Sequence, residues 1–275
     1  MKIGIPKVLN YYCLKKWIYF FEELGIEVVY YDMNRKIMGL KDKICENKMY
    51  LSFKFFERHT EYLKDKCDYI LIPNLKYQKC TNFRNLYDLC NNLSNGNIIM
   101  FDNIDKLKYF IKIGDKLSFK RSEIKKAYLK ASIKYNKQLK KLRIDNINNL
   151  TSNHKKILLV SNYYNDSDKY ISAMIKLFDK HNIKTIYEDL LNENCSKKKY
   201  FKNNKIDLLN VNEYTKNVDG IVFFDKIPCI LDNLISDLMI DKTDKPYLNL
   251  SVNDEESLSK VEEKIENFIS LINNN

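Results

Sequence analysis

The chain reads as an α/β protein: two Rossmann-like lobes with parallel sheets, joined by a basic helical segment. Three observations predict this. Short apolar strands alternate with amphipathic helices through residues 1–112, and the same alternation returns through residues 154–275. Between them, residues 113–153 hold a long run with apolar side chains at helical spacing and form the expected connector and linker. Strand, helix, glycine, strand is the rhythm of βαβ units, which place helices on the faces of a parallel sheet.

In chain order, Met1–Ile5 is an apolar-alternating strand stopped by Pro6. Leu14, Trp17, Ile18, Phe21 and Leu24 mark one face of a helix, and Gly25 sits where a helix C-cap glycine belongs. Ile26–Tyr31 is a buried-type strand, Phe53–Leu63 a helix, Tyr69–Ile72 a strand ended by Pro73, and Asn97–Phe101 another strand. From Leu117 to Arg143 the stripe Ile124, Ala127, Tyr128, Ala131, Tyr135, Leu139 and Leu142 predicts one long helix, followed by a polar, Asn-rich link over Asp145–Asn153. The second lobe then offers strands at Lys156–Val160, Ile183–Tyr187, Val218–Phe224 and Pro246–Leu250, with helices at Asp168–His181 and Leu258–Leu271. The repetition suits a cleft at strand C-terminal ends, where such sheets bind ligands.

Composition narrows the function classes. The 275 residues are 45% hydrophobic and include 20 Tyr and 14 Phe, enough apolar area to exclude a disordered chain. Six Gly and four Pro exclude collagen-like and Pro-rich classes, and no run approaches the roughly 18 apolar residues of a membrane span. The opening MKIGIPKVLNYY lacks the long apolar stretch of a secretory signal, so a cytoplasmic protein is expected, and its seven Cys are expected as thiols or metal ligands. The 47 Lys+Arg against 36 Asp+Glu give a net charge of +11, yet residues 105–156 alone hold 16 basic and 4 acidic residues. The excess is therefore local. A solvated helix face is its simplest reading, and an acidic protein partner fits better than nucleic acid, because Tyr128 and Tyr135 fall on the apolar stripe and not among the lysines.

Six scattered Gly build neither a dinucleotide fingerprint nor a P-loop, and no HExxH, GxSxG or CxxC occurs. His59, His154 and His181 read as surface or packing residues, and Cys13, Cys67, Cys90 and Cys195 as core or surface thiols. Cys80 and Cys229 differ: each follows a predicted strand past its C-terminal end, in opposite lobes, where a shared cleft would bring them together.

The opening KIGIPKVLNYYCLKKWIYFFEELGIEVVYYD closely resembles the start of the activase-associated 2-hydroxyacyl-CoA dehydratase-like family, which opens K-I-G-I-P-R-A-L and continues F-F-x-E-L-G-x-E-V-V. DYILIPNL, SNYYNDSDKYIS, VDGIVFFDKIPCILDNLISDL and KPYLNLSVNDE are similar to further family segments, in the right order, and together cover most of the chain. The resemblance implies a 4Fe–4S-type iron–sulfur cluster held by Cys thiolates from both lobes. It also implies an electron received from an ATP-hydrolysing activator and delivered at low potential, as in anaerobic thioester dehydration. A sister subunit or a homodimer is implied as well. Soft anionic sulfur suits such a cluster because it stabilises iron and sets its potential.

Carried over residue by residue, the pattern is eroded. Cys80 occupies the C-P-K-F position but reads CTNF, and Cys229 occupies the F-x-C-G-P-D-S position as IPCILDN. Aligned through Lys54 and His59, the third Cys position is Tyr50. The family G-H-P-Y reads SNYY, and its D-E-H reads Asp254-Glu255-Glu256. Two readings follow: a divergent member with weakened or lost cluster binding, acting as subunit or partner in a low-potential electron-transfer system; or an active iron–sulfur reductase or dehydratase component using Cys80, Cys229 and a third thiolate such as Cys45. A third, separate reading is a basic-helix binder of an acidic partner or nucleic acid.

Overall fold

In each half of the chain the β-branched and aromatic runs pair into a four-stranded parallel sheet, with its first strand between its second and third. The computed structural model divides the chain into two units, Met1–Lys137 and Gln138–Asn275. It describes residues 1–6, 12–30, 59–73, 97–101, 106–161, 169–191, 201–202, 205–206, 215–225, 240, 243–252 and 257–274. In the first unit, strands β1 (Lys2–Ile5), β2 (Glu27–Tyr30), β3 (Tyr69–Pro73) and β4 (Ile98–Phe101) lie in the order β2-β1-β3-β4. In the second, β5 (Lys156–Ser161), β6 (Lys184–Tyr187), β9 (Gly220–Asp225) and β10 (Tyr247–Ser251) lie in the order β10-β9-β5-β6. Every pairing within both sheets is parallel. Two-residue strands β7 (Phe201–Lys202) and β8 (Lys205–Ile206) form a separate antiparallel pair. The helices are α1 (Tyr12–Glu23), α2 (Leu107–Lys116), α3 (Arg121–Thr151), α4 (Lys169–Lys180), α5 (Glu188–Leu191) and α6 (Leu258–Asn274).

The expected two-lobed α/β class is therefore present, and the units repeat each other in atomic detail. Asp68, just before β3, accepts a hydrogen bond from the Lys2 amide at 2.7 Å and returns its own amide to the Lys2 carbonyl at 2.9 Å. Asp219, just before β9, does the same with Lys156, at 2.7 and 2.8 Å. Each unit also ends the helix that follows its first strand in a Schellman turn. Gly25 (φ 72°) is followed by Ile26, whose amide donates to the Phe21 carbonyl at 2.9 Å. Asn182 (φ 58°) is followed by Ile183, whose amide donates to the Phe178 carbonyl, also at 2.9 Å. Such a turn needs one residue in the left-handed region, where Gly and Asn are the least strained choices.

The cores follow from the two-residue strand period. In the second unit Ile157 and Leu159 of β5, with Val222 and Phe224 of β9, pack against α4 and α6, while Leu158, Ile221 and Phe223 pack on the other face with Ile186 and Val218. A sheet buried on both faces needs such continuous apolar strands. In the first unit Ile3, Ile5, Leu71, Ile99 and Phe101 meet Trp17, Phe20 and Phe21 of α1, Phe110 and Ile113 of α2, and Ile124, Ala127 and Ala131 of α3. Gly114 lets α2 approach α3: a Cβ there would lie 2.5 Å from Ile124 side-chain atoms.

The connector differs from its expected form at both ends. Leu117 belongs to the end of α2, a helix the sequence reading did not place, and Ser118 (φ 63°) closes it by a further Schellman turn, with Phe119 donating to the Gly114 carbonyl at 3.0 Å. α3 then starts at Arg121, where the Glu123 carboxylate accepts from the Lys120 amide at 2.9 Å as in a capping box. At the other end the expected Asn-rich link is helical to Thr151. The weak helix propensity of Asn is overridden there by tertiary contact, because the buried Asn146 side chain is held in the second unit by the backbone of Tyr187.

Candidate functional site

In a parallel sheet of this order the connections leaving the first and third strands run to opposite sides, opening a crevice at their C-terminal ends. In the first unit that point lies between β1 and β3, which pair Ile3 with Tyr69 and Gly4 with Ile70. In the second it lies between β5 and β9, which pair Ile157–Ser161 with Gly220–Phe224. Cys80 comes after β3 in sequence and Cys229 after β9, the topologically equivalent strands. Cys80, Cys229, Cys45 and Tyr50 all lie outside the described residues. Among the described residues no group of three His, Cys, Asp or Glu is placed to hold a metal ion.

Cys67 is the described thiol, and it sits just before β3, at the N-terminal end of the strands and so away from the crevice. Its Sγ donates to the Leu63 carbonyl at 3.0 Å and lies against Gly4, where a Cβ would come within 2.6 Å of the sulfur. Burial pushes this thiol above the ordinary 9.0, with a smaller push from the Asp68 carboxylate and an opposing backbone hydrogen bond from Gly4. The group is a protonated packing residue, not a ready thiolate ligand. Because its folded value is raised, the associated stability is present below the unfolded value and is lost as pH rises through the folded one. Alkylation mapped by mass spectrometry is expected to modify Cys67 more slowly in the folded chain than in urea at the same mildly alkaline pH. Equal rates would overturn that assignment.

The histidines follow the packing and surface reading. His59 is buried in the helical residues 59–63, His154 is exposed, and His181 at the end of α4 lies 3.2 Å from Glu266 of α6. The sequence reading missed two polar side chains. Lys16 of α1 is buried, with its ammonium 4.4 Å from the centroid of the Tyr128 ring and 5.7 Å from that of Phe110. Its position one turn before Phe20 places it beside the apolar stripe, a signal available in the sequence; aromatic faces attract such a cation. Asn146 is the other. Its amide donates to the Tyr187 carbonyl at 3.1 Å and its oxygen accepts from the Tyr187 amide at 2.8 Å.

The ligand set that the resemblance implies would supply two thiolates, at Cys80 and Cys229, and a phenol at Tyr50. Phenolate is a harder donor than thiolate and a poor replacement for it at a low-potential iron centre.

Comparison with known proteins gives one family match. The family model described as "CoA enzyme activase uncharacterised domain" matches residues 2–191. No curated protein matches. Among solved structures, the SBP FpvC in complex with Ni2+ from P. aeruginosa is 12% identical, with 99% of this chain and 96% of that chain covered and a TM-score of 0.35. The laminin-binding protein Lbp of Streptococcus pyogenes is 11% identical over 99% and 98% of the two chains, with a TM-score of 0.30. The laminin-binding adhesin Lmb of Streptococcus agalactiae, in a mutant structure, is 12% identical over 99% and 98%, with a TM-score of 0.35. Scores this low bear on neither ligand nor activity. No helix among the described residues is long and apolar enough to cross a membrane.

Proposed function

Since the chain belongs to the CoA enzyme activase uncharacterised domain family, we propose that it is a divergent two-lobed member with weakened or lost iron–sulfur binding, serving as a subunit or partner in a low-potential electron-transfer system. The observation that carries this reading is Tyr50 at the third ligand position, beside Cys80 and Cys229 that have lost their neighbouring Pro, Lys and Gly. The duplicated sheet order supports the correspondence of the remaining two cysteines, since both follow the third strand of a sheet. The scaffold is kept and the donor set is not, which is the pattern expected when selection acts on shape and partner recognition more than on metal affinity. An ATP-hydrolysing activator or a sister subunit in the cytoplasm is the partner class that this reading names.

Anaerobic reconstitution with iron and sulfide, followed by iron counting and visible absorption, tests it. Substoichiometric iron without a thiolate-to-iron absorption band is the expected result. Stoichiometric iron with such a band, abolished by Cys80→Ala, would overturn the reading in favour of an active cluster; loss of that iron in Cys45→Ser would then identify the third thiolate.

A further inference from the structure

Four large apolar side chains that remain exposed among the described residues belong to α3: Leu129 (59%), Ile133 (69%), Ile144 (47%) and Ile147 (51%). They do not scatter around the helix. At about 100° per residue, Leu129, Ile133, Ile144 and Ile147 fall within an arc of roughly 60°. Lys137 and Lys140 complete the same line, so the stripe runs Leu129, Ile133, Lys137, Lys140, Ile144, Ile147 in steps of three and four. It spans roughly 27 Å at about 1.5 Å per residue. Two apolar ends thus flank a cationic middle.

The cations are available. Lys130 and Lys134, on the adjoining flank, are engaged by Glu23 and Glu22 at 2.9 and 3.0 Å. Lys126, Lys137, Lys140 and Lys141 are exposed and have no carboxylate within ion-pair distance among the described residues. An exposed apolar line on a helix is worth little to the free protein and is a recurrent docking device for a second helix.

We propose that this face docks an acidic amphipathic helix of a partner protein, apolar at both ends and carrying Asp or Glu opposite Lys137 and Lys140. The central lysines select that occupant. A second copy of the chain, paired parallel in register or antiparallel about a two-fold axis, would set Lys137 and Lys140 against their own copies, which like-charge repulsion opposes. A lipid surface calls for an unbroken apolar face, and the lysine pair breaks this one. A carboxylate pair on the partner turns the same interruption into a register pin, as a lone polar position does in coiled coils. The inference goes beyond the proposed electron-transfer role and stands independently of iron, so it is tested on the chain without reconstitution.

The probe is a fluorescein-labelled helical peptide with Leu at the positions meeting the four apolar residues and Glu at those meeting Lys137 and Lys140, read by fluorescence anisotropy against the full chain. Binding is expected, weakened at least about tenfold by Ile133→Asp, a loss typical of removing an anchor. The peptide with Glu→Lys is expected to lose binding to the native chain and regain it with K137E/K140E. Unchanged circular dichroism of Ile133→Asp separates docking from folding, and Ile147→Asp provides a second surface variant should the first unfold. Absence of binding, equal binding of a scrambled peptide, or failure of the charge swap would overturn the proposal. So would capture by phosphatidylserine vesicles, or dimerisation in sedimentation, that Ile133→Asp abolishes.

Discussion

Trp17→Ala is expected to lower the stability of the first unit by about 3–5 kcal/mol, the usual cost of removing a buried large aromatic side chain. Trp17 is 1% exposed. Its ring stacks on Phe110 with centroids 3.8 Å apart and planes at 12°, meets Phe20 edge-on at 5.8 Å, and lies 5.9 Å from Phe101 on β4. One side chain therefore ties α1 to α2 and to the sheet, and its loss leaves a cavity that neighbours on three elements cannot close together. Urea unfolding followed by circular dichroism, with the first transition assigned by the fluorescence of this sole tryptophan in the native chain, reads the effect. Trp17→Phe should recover more than half of the loss. An unchanged midpoint for the alanine variant would show that the aromatic cluster is not the centre of this core.

Asn146→Ala is expected to cost about 1–3 kcal/mol in the second unit, because the backbone N–H and C=O of the half-buried Tyr187 lose this partner together. The Asn146 side chain supplies Tyr187 with a donor and an acceptor, as a neighbouring strand would. Tyr187 ends the edge strand β6, whose other partner is β5. Amide hydrogen exchange at Tyr187 gives a local reading: its protection should fall in Asn146→Ala and partly survive in Asn146→Asp, which keeps the acceptor. Undiminished protection would mean that the strand end is held by other contacts.

The helices and strands were legible where one physical demand dominated. Short apolar runs such as KILLV and GIVFF favour a buried strand, and Gly25 after an amphipathic helix favours a C-cap. Legibility failed where two demands competed. Asp145–Asn153 looks like a link because Asn is a poor helix former, yet one Asn is fixed by a residue 41 positions away, which no local pattern encodes. Leu117 continues the periodicity of α3 although Ser118 turns the chain between two helices. The exposed line on α3 was hidden for a similar reason: the apolar stripe facing the core absorbed the hydrophobic signal, and the lysines between Leu129 and Ile147 made the rest look solvated. Of the candidate ligands, Cys80 and Cys229 could be placed after equivalent strands from sequence alone, whereas their number and identity rested on family resemblance. Spacing cannot distinguish a ligand thiol from a packing thiol such as Cys67.

The paired Schellman turns make the chain its own comparison of two ways to bend left-handed. Gly25 and Asn182 close matching helices with nearly the same φ. The glycine reaches that geometry without strain but gives the unfolded chain more freedom to lose. The asparagine restricts the unfolded chain and carries the strain in the folded state. The two units therefore divide one geometric requirement between opposite sides of the folding equilibrium, entropy in the first and native-state strain in the second.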